Sequence, residues 1–61
     1  MTLAEARNQV GLSQKQVAEH LNISDSAVCQ WEKGQTKPKI AHIKILASLY
    51  GVTIDELLKD S

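Results

Sequence analysis

The sequence predicts an all-α fold of five short helices, and three observations carry that expectation. Apolar residues recur at helical spacing, as in Val17, Ala18 and Leu21 and again in Ile43, Leu46, Ala47 and Tyr50. The breaks between these stripes hold helix punctuation: Thr2, Ser13, Ser24 and Thr53 sit where N-caps belong, and Gly11, Asn22, Gly34 and Gly51 where helices end. With no Phe, one Trp and one Tyr, the core must be built from Leu, Ile, Val and Ala, which suits a small helical bundle.

The first helix is expected from Thr2 to Val10. Thr2 and Glu5 have capping-box spacing, and Leu3, Ala6 and Val10 make the apolar stripe. Arg7 lies at the edge of that stripe, a candidate partner for an acid elsewhere in the chain. Leu12 links to the second helix, where Ser13 and Gln16 repeat the capping box and Gln14 stands at the very start. Asn22-Ile23-Ser24 then makes a tight turn: Asn tolerates positive φ, Ile23 plugs the gap and Ser24 caps the next helix. The third helix is expected from about Asp25 to Lys33, with Val28 and Trp31 inward and Ser24 on the same side. A polar loop, Gln35 to Lys39, leads to a fourth helix, Ile40 to Tyr50, whose buried stripe is read as Ile40, Ile43, Leu46, Ala47 and Tyr50. Thr53 and Glu56 open a short fifth helix to about Lys59. Its apolar residues Ile54, Leu57 and Leu58 exceed what so short a helix needs for its own core face. They make it a candidate dimer contact.

The second and third helices with so short a turn have the logic of a helix-turn-helix, in which the second element can enter the DNA major groove. At 100° per residue, Ser26, Gln30 and Lys33 face outward, with Cys29 beside them. Such a face can approach base edges. Gln30 can pair bidentately with adenine, Ser26 can meet any base, and Asp25 can accept from cytosine N4. Asp25 equally suits a carboxylate stabilising the helix N-terminus, and the two roles are compatible. Gln14, beside free backbone N–H groups, is a candidate for phosphate, with a solvent-exposed glutamine as the plain alternative.

At 61 residues the chain is read as a single domain, residues 1–61, near the lower limit for folding alone. Seven basic and seven acidic residues cancel, but four lysines (33, 37, 39 and 44) cluster without an acid, while residues 55–61 hold three acids and one lysine. Local clustering makes an electrostatic footprint; a solvated face is the alternative. The lone Cys29 excludes an intrachain disulfide and fits a reducing compartment. No signal peptide or membrane-length apolar run is visible. His20, Cys29 and His42 are isolated and form no metal pattern, and the serine and threonine hydroxyls are explained as caps. No enzyme, metal, cofactor or small-molecule ligand is therefore expected.

The stretch GLSQKQVAEHLNISDSAVCQWEKGQTKP resembles the helix-turn-helix domains of phage repressors and Cro proteins (lambda-repressor-like), and of the wider xenobiotic-response-element regulators. The resemblance runs from about Leu3 to Leu58. It rests on Gln14, Ala18, Asn22, Val28 and Trp31, and on KPKIAHIKILASLYGVTIDELL as the family's fourth and fifth helices. It implies a compact five-helix domain that binds a double-stranded DNA operator as a homodimer. Gln14 and Lys15 at the second helix, with Lys33, Gln35, Thr36, Lys37 and Lys39, would contact phosphates. Asp25, Ser26 and Gln30 would touch bases. Arg7 and Glu32 would form an ion pair tying the first helix to the third. The region after the fourth helix, with Val52, Ile54, Leu57 and Leu58, would make the dimer interface. The implied location is the bacterial cytoplasm or nucleoid, or a host's cytoplasm for a phage-encoded protein. Two departures stand out: Asn22 replaces the usual turn glycine, and Asp25 is acidic where many relatives carry Gln or Arg, which leaves base preference open.

The expected function is a sequence-specific transcriptional regulator, a Cro-like phage or prophage repressor with the third helix in the major groove. An excised repressor domain would look the same. The alternative is an antitoxin-like or adaptor module using this fold to bind protein. An adaptor would expose an apolar patch where this chain puts a polar helix face beside lysines.

Overall fold

The structure, a computed structural model, describes residues 1–59. Asp60, the last acid of the C-terminal run, lies outside the described residues. Five helices follow in order: α1 Leu3–Gln9, α2 Gln14–Leu21, α3 Asp25–Lys33, α4 Ile40–Tyr50 and α5 Ile54–Lys59. No strand occurs among the described residues.

The caps fall where the sequence places them. Thr2 accepts from the Glu5 backbone N–H (3.1 Å) while the Glu5 carboxylate accepts from that of Thr2 (2.9 Å). These bonds to Thr2, backbone first, hold the Glu5 carboxyl below its ordinary value. Ser13 and Gln16 repeat the exchange at α2. Ser24 accepts from Ala27 N–H at 3.4 Å at α3, and Thr53 pairs with Glu56 at α5.

The first four helices stop in one way. A residue at positive φ (Gly11, Asn22, Gly34 and Gly51) is followed by one whose N–H reaches five residues back. In α2 these bonds are Asn22 N–H to Glu19 O (3.3 Å) and Ile23 N–H to Ala18 O (3.0 Å), the Schellman pattern. The residue after the left-handed position is apolar and packs on the core in three cases: Leu12, Ile23 and Val52. After α3 it is Gln35, which is exposed. The chain there leaves the core as a polar loop.

The helices close around Leu3, Ala6, Val17, Ala18, Leu21, Val28, Leu46, Ala47, Tyr50 and Leu57, with Trp31, Leu49 and Met1 packed at the margin. α2 packs most extensively against α3, α4 against α5, and α1 bridges α3 and α4. Ala18 of α2 is buried in this core.

Four expectations need correction. Ile40 is 58% exposed: as the first residue of α4 it precedes the stripe that turns inward at Ile43. Val10 is exposed because α1 ends at Gln9, before the stripe repeats. Ser24 is exposed, since a capping hydroxyl serves the helix end rather than the core. Leu57 is 1% exposed and belongs to the chain's own core, so it offers no surface to a second copy.

Asn22 holds φ 58 and ψ 45, a left-handed conformation costing an ordinary L-residue about 1–2 kcal/mol. Asn22→Gly is therefore expected to keep or raise the melting temperature. Asn22→Val is expected to lose about 1–2 kcal/mol in urea titration, and an unchanged midpoint would refute the strain assignment.

Candidate nucleic-acid interface

α3 stands with Val28 buried and Trp31 half-buried, and this fixes what it shows to solvent. Asp25, Ser26, Gln30 and Lys33 are exposed, and Cys29 is half-buried. The face is polar, and short at its N-terminal end. Beyond it Gly34 turns the chain, closed by Gln35 N–H to Gln30 O at 3.0 Å. Gln35, Thr36, Lys37 and Lys39 are exposed, with Pro38 half-buried. Lys15, on the first turn of α2, is also exposed. The base-facing and phosphate-facing candidates, Gln14 excepted, therefore all reach solvent.

Gln14 is different. Its side chain is half-buried, and Nε2 donates to Glu32 Oε1 at 2.9 Å. The same carboxylate receives Arg7: Nε donates to Oε2 at 2.7 Å and Nη2 to Oε1 at 3.1 Å. Arg7 Nη1 donates to the Leu12 carbonyl at 2.8 Å. The two charged side chains are 14% and 8% exposed. The bidentate pairing is the strong form of ion pair, and at this burial losing either partner costs about 3 kcal/mol or more. The Arg7–Glu32 link is as expected; the bonds to Gln14 and Leu12 have no signature in the sequence.

Trp31 carries a second contact that sequence spacing does not reveal. Its ring meets that of His42 with centroids 5.4 Å apart and planes tilted by 40°. The pairing ties the end of α3 to the first turn of α4. His42 Nδ1 is buried without a hydrogen-bond partner among the described residues. Between the start of α1 and the loop after α3 lies a cleft of about 200 Å³, lined in part by Thr2, Trp31, Lys33 and Lys37. That is below the roughly 300–1,000 Å³ of typical small-molecule sites. No group of three metal-ligating side chains occurs among the described residues.

A family profile for helix-turn-helix proteins matches residues 3–57, nearly the whole chain. The chain belongs to the helix-turn-helix family. It is similar to several curated regulators, among them these three. Over 56 residues (92% of this chain, 28% of the relative) it is 39% identical to the HTH-type transcriptional activator BcrR of Enterococcus faecalis. Over 59 residues (97% and 53%) it is 34% identical to the cryptic phage CTXphi transcriptional repressor RstR of Vibrio cholerae. Over 56 residues (92% and 44%) it is 38% identical to the HTH-type transcriptional regulator ImmR of Bacillus subtilis. The chain thus spans between about a quarter and a half of the length of these relatives. No solved structure gives a significant match. These relatives agree with the lambda-repressor-like assignment and the all-α fold.

Tyr50 packs near the ion pair and is buried. Burial, reinforced by the Glu32 charge and opposed by Arg7, pushes its hydroxyl from 10.0 up to about 12. The folded state then holds the proton more tightly than the unfolded state. Tyr50's contribution is fully present below pH 10 and is lost as pH rises towards about 12. Unfolding measured across this window should show a loss on the order of 2–3 kcal/mol that is absent in Tyr50→Phe. Tyr50 is the chain's one tyrosine, so tyrosinate absorbance reads it directly; titration at the ordinary value in the folded protein would refute the assignment.

Proposed function

We propose that the chain is a sequence-specific DNA-binding domain of a transcriptional regulator, with a Cro-like repressor the form its features favour. The observation that carries this reading is the exposed polar face of α3 beside an exposed loop bearing lysines and no acid. A groove-reading helix needs short donors and acceptors that approach base edges, and cations beside it to meet phosphate. Asp25, Ser26 and Gln30 are assigned to bases. Lys15, Lys33, Gln35, Thr36, Lys37 and Lys39 are assigned to phosphates, with Gln14 at the free N–H groups of α2. The name of RstR attaches repression to one relative and that of BcrR activation to another; repression by occlusion of a promoter is the sign proposed for this chain.

The proposed oligomer is a two-fold dimer through Ile54 and Leu58, which are 36% and 44% exposed, with Val52 at the margin. The domain measures 24 × 23 × 19 Å, so two copies side by side can hold their α3 helices about 34 Å apart, one turn of DNA. Among the described residues no helix is long and apolar enough to cross a membrane. The proposed location is the bacterial cytoplasm.

Selection from a random duplex pool at two salt concentrations tests this. The expected result is a near-palindrome with half-sites one helical turn apart. A lone half-site would remove the dimer, and no enrichment at low salt would leave a protein-binding module as the better reading. On the selected site Gln30→Ala should cost about 1–3 kcal/mol and relax specificity, whereas Lys37→Ala should weaken all sites alike and flatten the salt dependence. Equal loss on every sequence for Gln30→Ala, or an unchanged salt slope for Lys37→Ala, would remove that residue from its role.

A further inference from the structure

The bond from Gln14 Nε2 to Glu32 Oε1, at 2.9 Å, joins an interface candidate to a residue otherwise read as internal scaffold. We propose that Glu32 is a positioning residue for DNA, fixing which edge of the Gln14 amide is left for a phosphate. The inference rests on Gln14 being a phosphate contact.

An ionised carboxylate only accepts hydrogen bonds, so it decides the orientation of any amide placed against it. The nitrogen of the Gln14 amide must face Glu32, because the flipped amide would set two oxygens against each other. A primary amide nitrogen carries two N–H groups. One is taken by Glu32, and the second stays available as a donor. A free surface glutamine would sample both orientations, and one of them turns an oxygen towards a phosphate. Fixing the side chain beforehand also removes an ordering cost from binding.

A bare carboxylate so close to a phosphate site would repel the anion. Arg7 cancels that charge, with contacts of 2.7 and 3.1 Å to the two carboxylate oxygens. It leaves Oε1 with capacity for Gln14, since a carboxylate oxygen accepts more than one donor. Arg7 therefore serves the interface at one remove. It lets an acid orient a phosphate-binding group without adding a net negative charge beside it.

A double-mutant cycle on Gln14→Ala and Glu32→Gln tests this, with folding of each variant checked by circular dichroism. The probe is a mixed-sequence duplex of about 20 base pairs at about 50 mM salt, since phosphate contacts do not depend on sequence. Gln at position 32 can present oxygen or NH₂ to Gln14, so orientation is lost with little change in size. Glu32→Gln should weaken binding about fivefold with Gln14 present and less than about twofold in Gln14→Ala. Equal loss in both backgrounds would mean that Glu32 acts through the fold alone, and would overturn the proposal. Wild-type affinity in Gln14→Ala would overturn the phosphate reading and the positioning role with it, and no duplex binding by the wild-type protein would overturn the DNA reading that both need. Where Glu32→Gln does not fold, the side-chain N–H resonances of Gln14 in the wild-type protein decide. One should be protected from exchange in the free protein and the second should become protected on adding the duplex. A second proton that exchanges freely in the complex would overturn the proposal.

Discussion

One carboxylate holds three parts of this fold together. Glu32 on α3 accepts from Arg7 on α1 and from Gln14 at the start of α2, while Arg7 also reaches the Leu12 carbonyl between those helices. Removing two charges from water costs roughly what their attraction returns, so the pair is weak as a source of net stability. Its bonds are directional, however, and this is what the core cannot supply. Burial of Leu, Val and Ala side chains is non-directional. An arginine fork on a carboxylate is directional.

The consequence is the rotational setting of α3. Glu32 lies four residues after Val28 and so shares its side of the helix. With Val28 buried among α1, α2 and α4 residues and Glu32 tied to Arg7, the opposite side must carry Ser26 and Gln30. Trp31 against His42 holds the far end of the same helix. The identity of the exposed face is thus decided by contacts made on the other side of the helix.

The five helices and their ends were legible because capping is local. Thr2 with Glu5, Ser13 with Gln16 and Thr53 with Glu56 are each three residues apart, and each pair meets as its spacing implies. The left-handed Asn22 was legible for the same reason. The residues that depart from expectation lie at the edges of periodic stripes. Ile40 and Val10 keep the helical spacing, but spacing cannot say that α1 stops at Gln9 or that α4 turns inward only at Ile43. Leu57, Ile54 and Leu58 look alike as spare apolar surface, yet α4 takes Leu57 for the core and leaves the other two. The Gln14–Glu32 bond joins residues 18 positions apart, and no local pattern encodes it.

The zero net charge has a structural counterpart. Seven cationic and seven acidic residues cancel on paper, but one of each, Arg7 and Glu32, is turned inward and neutralised there. What remains outside is unevenly spread. Lys33, Lys37, Lys39 and Lys44 are exposed along α3, the loop and α4 with no acid between them, while Asp55 and Glu56 are exposed on α5. Salt screens exposed charges over ~8 Å at physiological strength, a short distance on a domain 24 Å across. An anion near the loop therefore responds to the lysines there rather than to the sum over the chain. Asp25 is the exception, an exposed acid at the start of α3. At the first turn of the helix its charge is offset by the positive end of the backbone dipole. Its cost to an approaching phosphate is therefore less than its formal charge implies, and its carboxylate remains free to accept a hydrogen bond from a base.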